Sequence, residues 1–290
     1  MQIWDVLALT LTSTWYKGNM YKEFFRDRLR PLIKWSGGKY KEIRYFEPYY
    51  PYSFDMYLEP FAGAGAVYFD LFFDNNLISD VHEELINFYQ QIKAGRAKDM
   101  YRWLSGFCEG KAREDQYYYI RDGFEPKDEF GRAIQFYYLR KTCFRGMLRY
   151  NNSGKFNVPF GFYDQISMDK LIDDRYELIL KNTDVRCVSY EEVFEEFNDP
   201  KYFMFLDPPY DSTFSNYGYC EFGREHHRTL ANYFRNTKCM CLMVVGKSDL
   251  MLEEYGDYVV DKYDKNYMFK IHSGRIGNEI NNEHLVIKNY

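Results

Sequence analysis

The chain has 290 residues, 46% of them hydrophobic, and a formal net charge of −5. That is enough for the full core of one α/β domain plus an insert. No apolar run approaches the ~20 residues of a membrane span, and the opening Met1-Gln2-Ile3-Trp4-Asp5 lacks the basic start of a signal peptide. The six cysteines (Cys108, Cys143, Cys187, Cys220, Cys239, Cys241) show no metal-ligand spacing and read as free thiols of a reducing, cytoplasmic compartment, with no metal expected.

Residues 1–30 carry no motif and read as an N-terminal extension. The first motif is Pro31-Leu32-Ile33-Lys34-Trp35-Ser36-Gly37-Gly38-Lys39. It is either a structural hairpin or a clamp, with Lys39 on a carboxylate and Trp35 on a flat ligand. Its spacing is not that of a phosphate-cradling P-loop. Met56-Tyr57-Leu58-Glu59 then reads as a strand, Pro60-Phe61-Ala62-Gly63-Ala64-Gly65-Ala66 as a tight turn of small residues, and Val67–Phe73 as a helix. Glycines at such a turn let backbone approach a ligand closely. Tyr68 stands where the dinucleotide fingerprint needs its third glycine. Leu77-Ile78-Ser79 ends in Asp80, which either holds a ribose diol or caps a helix starting near His82.

Further along, Asp122–Gly131 is the stretch best suited to be a mobile loop. Arg132, Arg140, Lys141, Arg145, Arg149 and Lys155 follow with no acid among them, so a basic face is expected on an acidic body. The run Tyr202-Phe203-Met204-Phe205-Leu206 reads as a buried strand ending in Asp207-Pro208-Pro209-Tyr210. The prolines fix φ and remove N–H donors, which leaves the Asp207 carboxylate and the Pro208 carbonyl as free acceptors. Two acceptors suit the two N–H groups of an exocyclic amine, and the Tyr210 ring suits a flat base. Acceptors on those hydrogens favour the pyramidal amine whose lone pair faces an electrophile. His226-His227, on a helix expected over Arg224–Lys238, reads as exposed rather than ligating, since adjacent helical residues diverge by about 100°. Glu283–Tyr290 reads as a last strand.

Taken together and in this order, these strings resemble the Dam-type DNA adenine-N6 methyltransferases, from Pro31 to the C-terminus. The resemblance implies a Rossmann-like α/β sheet for S-adenosylmethionine-dependent methyl transfer, over 31–95 and 165–290, with a mostly helical DNA target-recognition insert over 96–164. It implies S-adenosylmethionine bound by Trp35, Lys39, Glu59, Pro60, Phe61, Gly63, Gly65, Asp80 and Asp207, and catalysis by Asp207, Pro208, Pro209 and Tyr210 on an adenine flipped out of double-stranded DNA. The excess proton leaves to solvent. On the DNA side, Phe144 matches an aromatic that enters the base stack and Arg145 a residue facing the orphaned thymine. Arg149 matches a guanine reader, Met147 and Pro159 contacts to a thymine methyl, and Lys34 a lysine near the first guanine; Asn151 lies in the same string. The implied site is GATC, although Phe144-Arg145 departs from the Tyr-Asn pair of the best-known bacterial members. Two alternatives share part of this chemistry, a cytosine-N4 methyltransferase and an inactive DNA-binding relative. The cytoplasm expected is that of a bacterial cell or of a phage's host. Oligomeric state is not legible.

Overall fold

The computed structural model describes residues 28–211, 222–267 and 280–290. Cys220 and all but the end of the expected extension lie outside the described residues. The strands are β1 (Met56–Glu59), β2 (Asn76–Ser79), β3 (Thr183–Arg186), β4 (Tyr202–Leu206), β5 (Met240–Gly246), β6 (Val259–Tyr267) and β7 (Ile280–Lys288). They form one sheet in the order β3-β2-β1-β4-β5-β7-β6. Pairing is parallel from β3 to β5, and β7 runs antiparallel to both β5 and β6. This is the Rossmann-like α/β sheet read from the sequence.

Both faces of the sheet are covered, as a parallel sheet requires, and the two-residue period of the strands divides their side chains between two cores. Tyr57, Ile78, Phe203, Phe205, Leu242, Val244 and Val286 enter one core. Leu58, Leu77, Met204, Leu206, Met243, Val245, Leu285 and Ile287 enter the other.

The connection from β2 to β3 carries the helices Glu83–Lys93, Ala97–Cys108, Glu114–Tyr118, Glu129–Thr142 and Asp174–Lys181. Acids in the first turn and Lys93 in the last suit the dipole of Glu83–Lys93. These helices share the first core with the sheet: Phe88 stacks on Tyr137, ring centroids 5.5 Å apart, and both are fully buried. Truncating such a ring to alanine costs about 3–5 kcal/mol.

Asp122–Gly131, expected as the mobile loop, completes a π-helical turn and then caps the next helix, Asp128 accepting from the Gly131 N–H. Gln135 also donates to the carbonyls of Ile120 and Phe124. One expectation is overturned outright. His227 is buried, because on the helix Arg224–Asn236 it shares the inward phase of Leu230, Ala231 and Phe234. Burial lowers its pKa to about 4, and its ring meets Phe222 edge-on at 4.8 Å.

Candidate active site

Connections run outward in opposite directions from β1 and β4, which lie side by side. In such sheets a crevice opens at the carboxyl ends of the two strands where the order reverses. Three carboxylates stand there: Glu59 ends β1, Asp80 follows β2 and Asp207 follows β4. They line a cavity of about 310 Å³ with Trp35, Lys39, Phe61 and Tyr210 on its walls.

The small-residue turn forms the cavity's floor. Gly63 and Gly65 are left-handed, with φ of +46° and +65°, and a Cβ on Gly63 would lie 2.8 Å from the Trp35 ring. Only glycine fits there. The Gly63 N–H donates to Asp80 Oδ2, and the His82 N–H to Asp80 Oδ1, each at 3.0 Å. Asp80 is therefore not the cap of the following helix. That cap is His82, whose Nδ1 accepts from the Leu85 N–H at 3.1 Å. Burial lifts the Asp80 carboxyl to about 6, against these hydrogen bonds. Glu59 accepts from the Tyr57 hydroxyl at 2.6 Å and the Tyr68 N–H at 3.0 Å. Burial, then repulsion from Asp207 and Asp80, lifts Glu59 to about 8. Pro60 is buried, and the Phe61 ring stacks on Tyr190 at 5.2 Å.

Lys39 is buried, and its ammonium is already engaged within the protein. It donates to Asp207 Oδ1 at 2.5 Å, to the Tyr210 hydroxyl at 2.8 Å and to the Gly37 carbonyl at 3.2 Å. The sequence suggested Lys39 as a clamp on a ligand's carboxylate; here it joins the turn 34–39 to the Asp-Pro-Pro-Tyr string. Burial raises the pKa of Asp207, and Lys39 opposes that shift. Pro208 and Pro209 belong to neither strand nor helix.

The DNA residues read from the sequence lie on or beside the loop after the helix Glu129–Thr142. Arg140, expected on the basic face, is buried instead. Its guanidinium donates to the carbonyls of Lys34, Gly146 and Met147, and lies 5.3 Å from the Trp35 ring centroid. It ties the turn 34–39 to the loop. Arg132 pairs with Glu84, so it too is partly withdrawn from that face. Lys34, Arg145, Met147, Arg149, Asn151 and Pro159 are exposed. Lys34 Nζ lies 3.6 Å from the Tyr163 ring centroid. Phe144 is half-buried against the first core with the Arg145 guanidinium over it, and Arg145 has φ of +53°. Arg149 is aimed by its hairpin, with Nε on Asn157 Oδ1 and Nη2 on the Asn157 carbonyl. The Asn151 side-chain oxygen is committed to the turn, accepting from the Ser153 and Lys155 N–H groups.

A junction not read from the sequence joins cavity and loop. His82 Nδ1 is an acceptor, so the proton of the neutral ring sits on Nε2, which donates to the Tyr150 hydroxyl at 2.6 Å. Burial, then Arg140, lowers His82 to about 4.

Among the described residues no helix is long and apolar enough to cross a membrane, and no group of three or more His, Cys, Asp or Glu stands ready to hold a metal ion. Residues 35–274 match the D12 class N6 adenine-specific DNA methyltransferases. The type II methyltransferase M.CviBI of Paramecium bursaria Chlorella virus NC1A is 47% identical over 264 residues, covering 90% of this chain and all of the relative. M.MjaIII of Methanocaldococcus jannaschii is 31% identical over 71% of this chain and 80% of its own length. The DNA adenine methylase of Haemophilus influenzae is 33% identical over 70% of this chain and 73% of its own length.

Proposed function

We infer the roles of individual residues from one premise: the chain belongs to the D12 class N6 adenine-specific DNA methyltransferases, enzymes that methylate adenine in DNA with S-adenosylmethionine as donor. The cavity suits that donor. Asp80 and Asp207 share the cavity with one ammonium, an excess of negative charge that a cationic ligand would balance, whereas Glu59, lifted to about 8, is mostly protonated; the glycine turn lets a ligand reach the backbone. S-adenosylmethionine supplies an electrophilic methyl group on a sulfonium. Asp80 would hold its ribose, Phe61 and Trp35 its flat parts, and the Gly63–Gly65 turn its backbone-facing edge, with Glu59 and Pro60 fixing that turn. Lys39 would act on Asp207 and Tyr210 rather than reach the donor's carboxylate alone.

The observation carrying this reading is the placement of Asp207-Pro208-Pro209-Tyr210 at the end of β4, beside the glycine turn that ends β1. Asp207 and the Pro208 carbonyl accept the hydrogens of the target amine, Pro209 keeps the backbone out of a helix, and the Tyr210 ring stacks on the flipped adenine. Residues 96–164 serve as the target-recognition region, while 1–30 is an extension outside it. There Arg149 forks to a guanine, Met147 and Pro159 meet a thymine methyl, Lys34 lies near the first guanine and Asn151 holds the hairpin turn. Phe144 and Arg145 attend the base left behind. The Dam-type pattern implies GATC in double-stranded DNA, methylated in the cytoplasm of a cell or of a phage's host.

The test is methyl transfer from labelled donor to adenine-unmethylated DNA, followed by nucleoside analysis and methylation-sensitive sequencing. N6-methyladenine at GATC is expected. N4-methylcytosine would overturn the chemistry. N6-methyladenine at another shared sequence would overturn only the GATC assignment.

A further inference from the structure

The last two strands do more than extend the sheet. They carry one ammonium and two polar rings up to the back of the catalytic string, where these meet a buried carboxylate that no motif singled out. Glu42 follows Lys39 by three residues, and its N–H donates to the Lys39 carbonyl at 2.7 Å. Its side chain is 6% exposed. Lys265 from β6 pairs with Glu42 Oε1, and the Tyr263 hydroxyl, also from β6, donates to Oε2 at 2.8 Å. His284 Nδ1, from β7, lies 2.8 Å from the same oxygen.

A carboxylate taken out of water persists only if cations and donors compensate it. Burial pushes the Glu42 carboxyl up, but His284, Lys39 and Lys265 outweigh burial and bring it down to about 2. Glu42 is therefore a fixed negative charge in a buried setting. Two routes lead from it to the reacting groups. One is electrostatic: Lys39 feels Glu42 while bonding Asp207 and the Tyr210 hydroxyl. The other is packing: the His284 ring meets the Tyr210 ring edge-on, centroids 5.4 Å apart at 78°. Tyr210 is thus gripped at its hydroxyl by Lys39 and along its ring by His284, and Glu42 acts on both.

We propose that Glu42, held by Lys265, Tyr263 and His284 of the last hairpin, is a positioning residue for methyl transfer that aligns Asp207 and Tyr210 through Lys39 and His284. The proposal rests on Asp207 and Tyr210 being the groups that hold the adenine. It explains why a buried acid stands opposite a catalytic acid: each lies within the field of Lys39, and the two hold that ammonium in place. It also gives the β6–β7 hairpin a task in the chemistry.

The test is single-turnover methyl transfer to adenine-unmethylated plasmid DNA, read as a rate constant and an amplitude, with donor affinity by calorimetry and a thermal midpoint alongside. For Glu42→Gln the rate constant is expected to fall about tenfold to a hundredfold, the scale of a misplaced reacting group. Amplitude and donor affinity should stay near wild type, and Glu42→Asp should recover part of the rate. A purely structural role would lower the amplitude and the melting temperature and leave the rate constant of the active fraction unchanged; that result overturns the proposal. If Glu42→Gln does not fold, Tyr263→Phe and His284→Gln remove the partners singly, and wild-type rate constants in both overturn it equally. Asp207→Ala is the companion measurement. A folded Asp207→Ala with a near wild-type rate would sink the reading of the site itself, whereas a dead Asp207→Ala beside an unimpaired Glu42→Gln would sink only the role given to Glu42.

Discussion

In the cavity, charge is buried against charge: Lys39 is 1% exposed and is held by a carboxylate, a phenol and a carbonyl from two separated parts of the chain. In the loop after the helix Glu129–Thr142, the charges that face outward are held by local backbone and by short polar side chains, as Arg149 is by Asn157 and the turn 151–155 is by Asn151. The cavity is pre-organised for chemistry that tolerates little displacement. The loop keeps the side chains proposed to read DNA in water. Arg140 and the His82–Tyr150 hydrogen bond join the two regions. The contrast therefore predicts different failures on the two sides and at the joints.

The largest effect is expected in the cavity. Asp207→Ala should lower the single-turnover rate by at least about 10²-fold, the scale for losing one pre-organised polar group, and should also lower the melting temperature, because the buried Lys39 ammonium loses its carboxylate. Next is the buried joint. Arg140→Ala leaves carbonyls of Lys34, Gly146 and Met147 without their donor and should cost about 2–5 kcal/mol by urea unfolding. Arg140→Lys should recover little, because an ammonium cannot reproduce the planar fork. Out on the loop, Arg149→Ala should leave the rate on the best site nearly intact and relax choice at one base pair by about 1–3 kcal/mol, read from competition between variant duplexes. An equal loss on all sequences would mean that Arg149 contacts phosphate instead. The smallest mutational effect belongs to Tyr150→Phe, about 1 kcal/mol of stability from one hydrogen bond.

The same joint has a pH dependence with a definite sign. His82 titrates near 4 in the folded chain, below its ordinary 6.5. Between those values the unfolded chain binds more protons, so stability falls as pH drops from about 6.5 to about 4. Urea midpoints measured across that range should show a shallower acid limb in His82→Gln than in wild type. An unchanged limb would remove His82 as a contributor.

What was legible in the sequence follows from the reach of each interaction. Strand ends and turns are written locally: the apolar run 202–206 before Asp-Pro-Pro-Tyr, and the small residues after Glu59, announce where acceptors and bare backbone will stand. Lys39 stands out in its turn as a candidate clamp, but its partners Asp207 and Tyr210 lie 168 and 171 positions away, and no spacing rule reaches that far. Arg140 looked like surface because arginine usually is; it is buried by packing against Lys34, 106 positions earlier. His227 is different. Its phase with Leu230, Ala231 and Phe234 is a local signal, written within eight residues of the chain.

The adjacency of β1 and β4 also sets a timetable for synthesis. Tyr57 pairs with Phe203, so when β1 leaves the ribosome its partner on that side has not been made. At ribosomal speeds the wait is on the order of ten seconds. Through it, the apolar edge of β1 is open to other chains and depends on β2 and the helices already made for shelter. The nascent protein completes its helical connection first, and it gains the strand ends that build the cavity only once Leu206 and the residues beyond it have emerged.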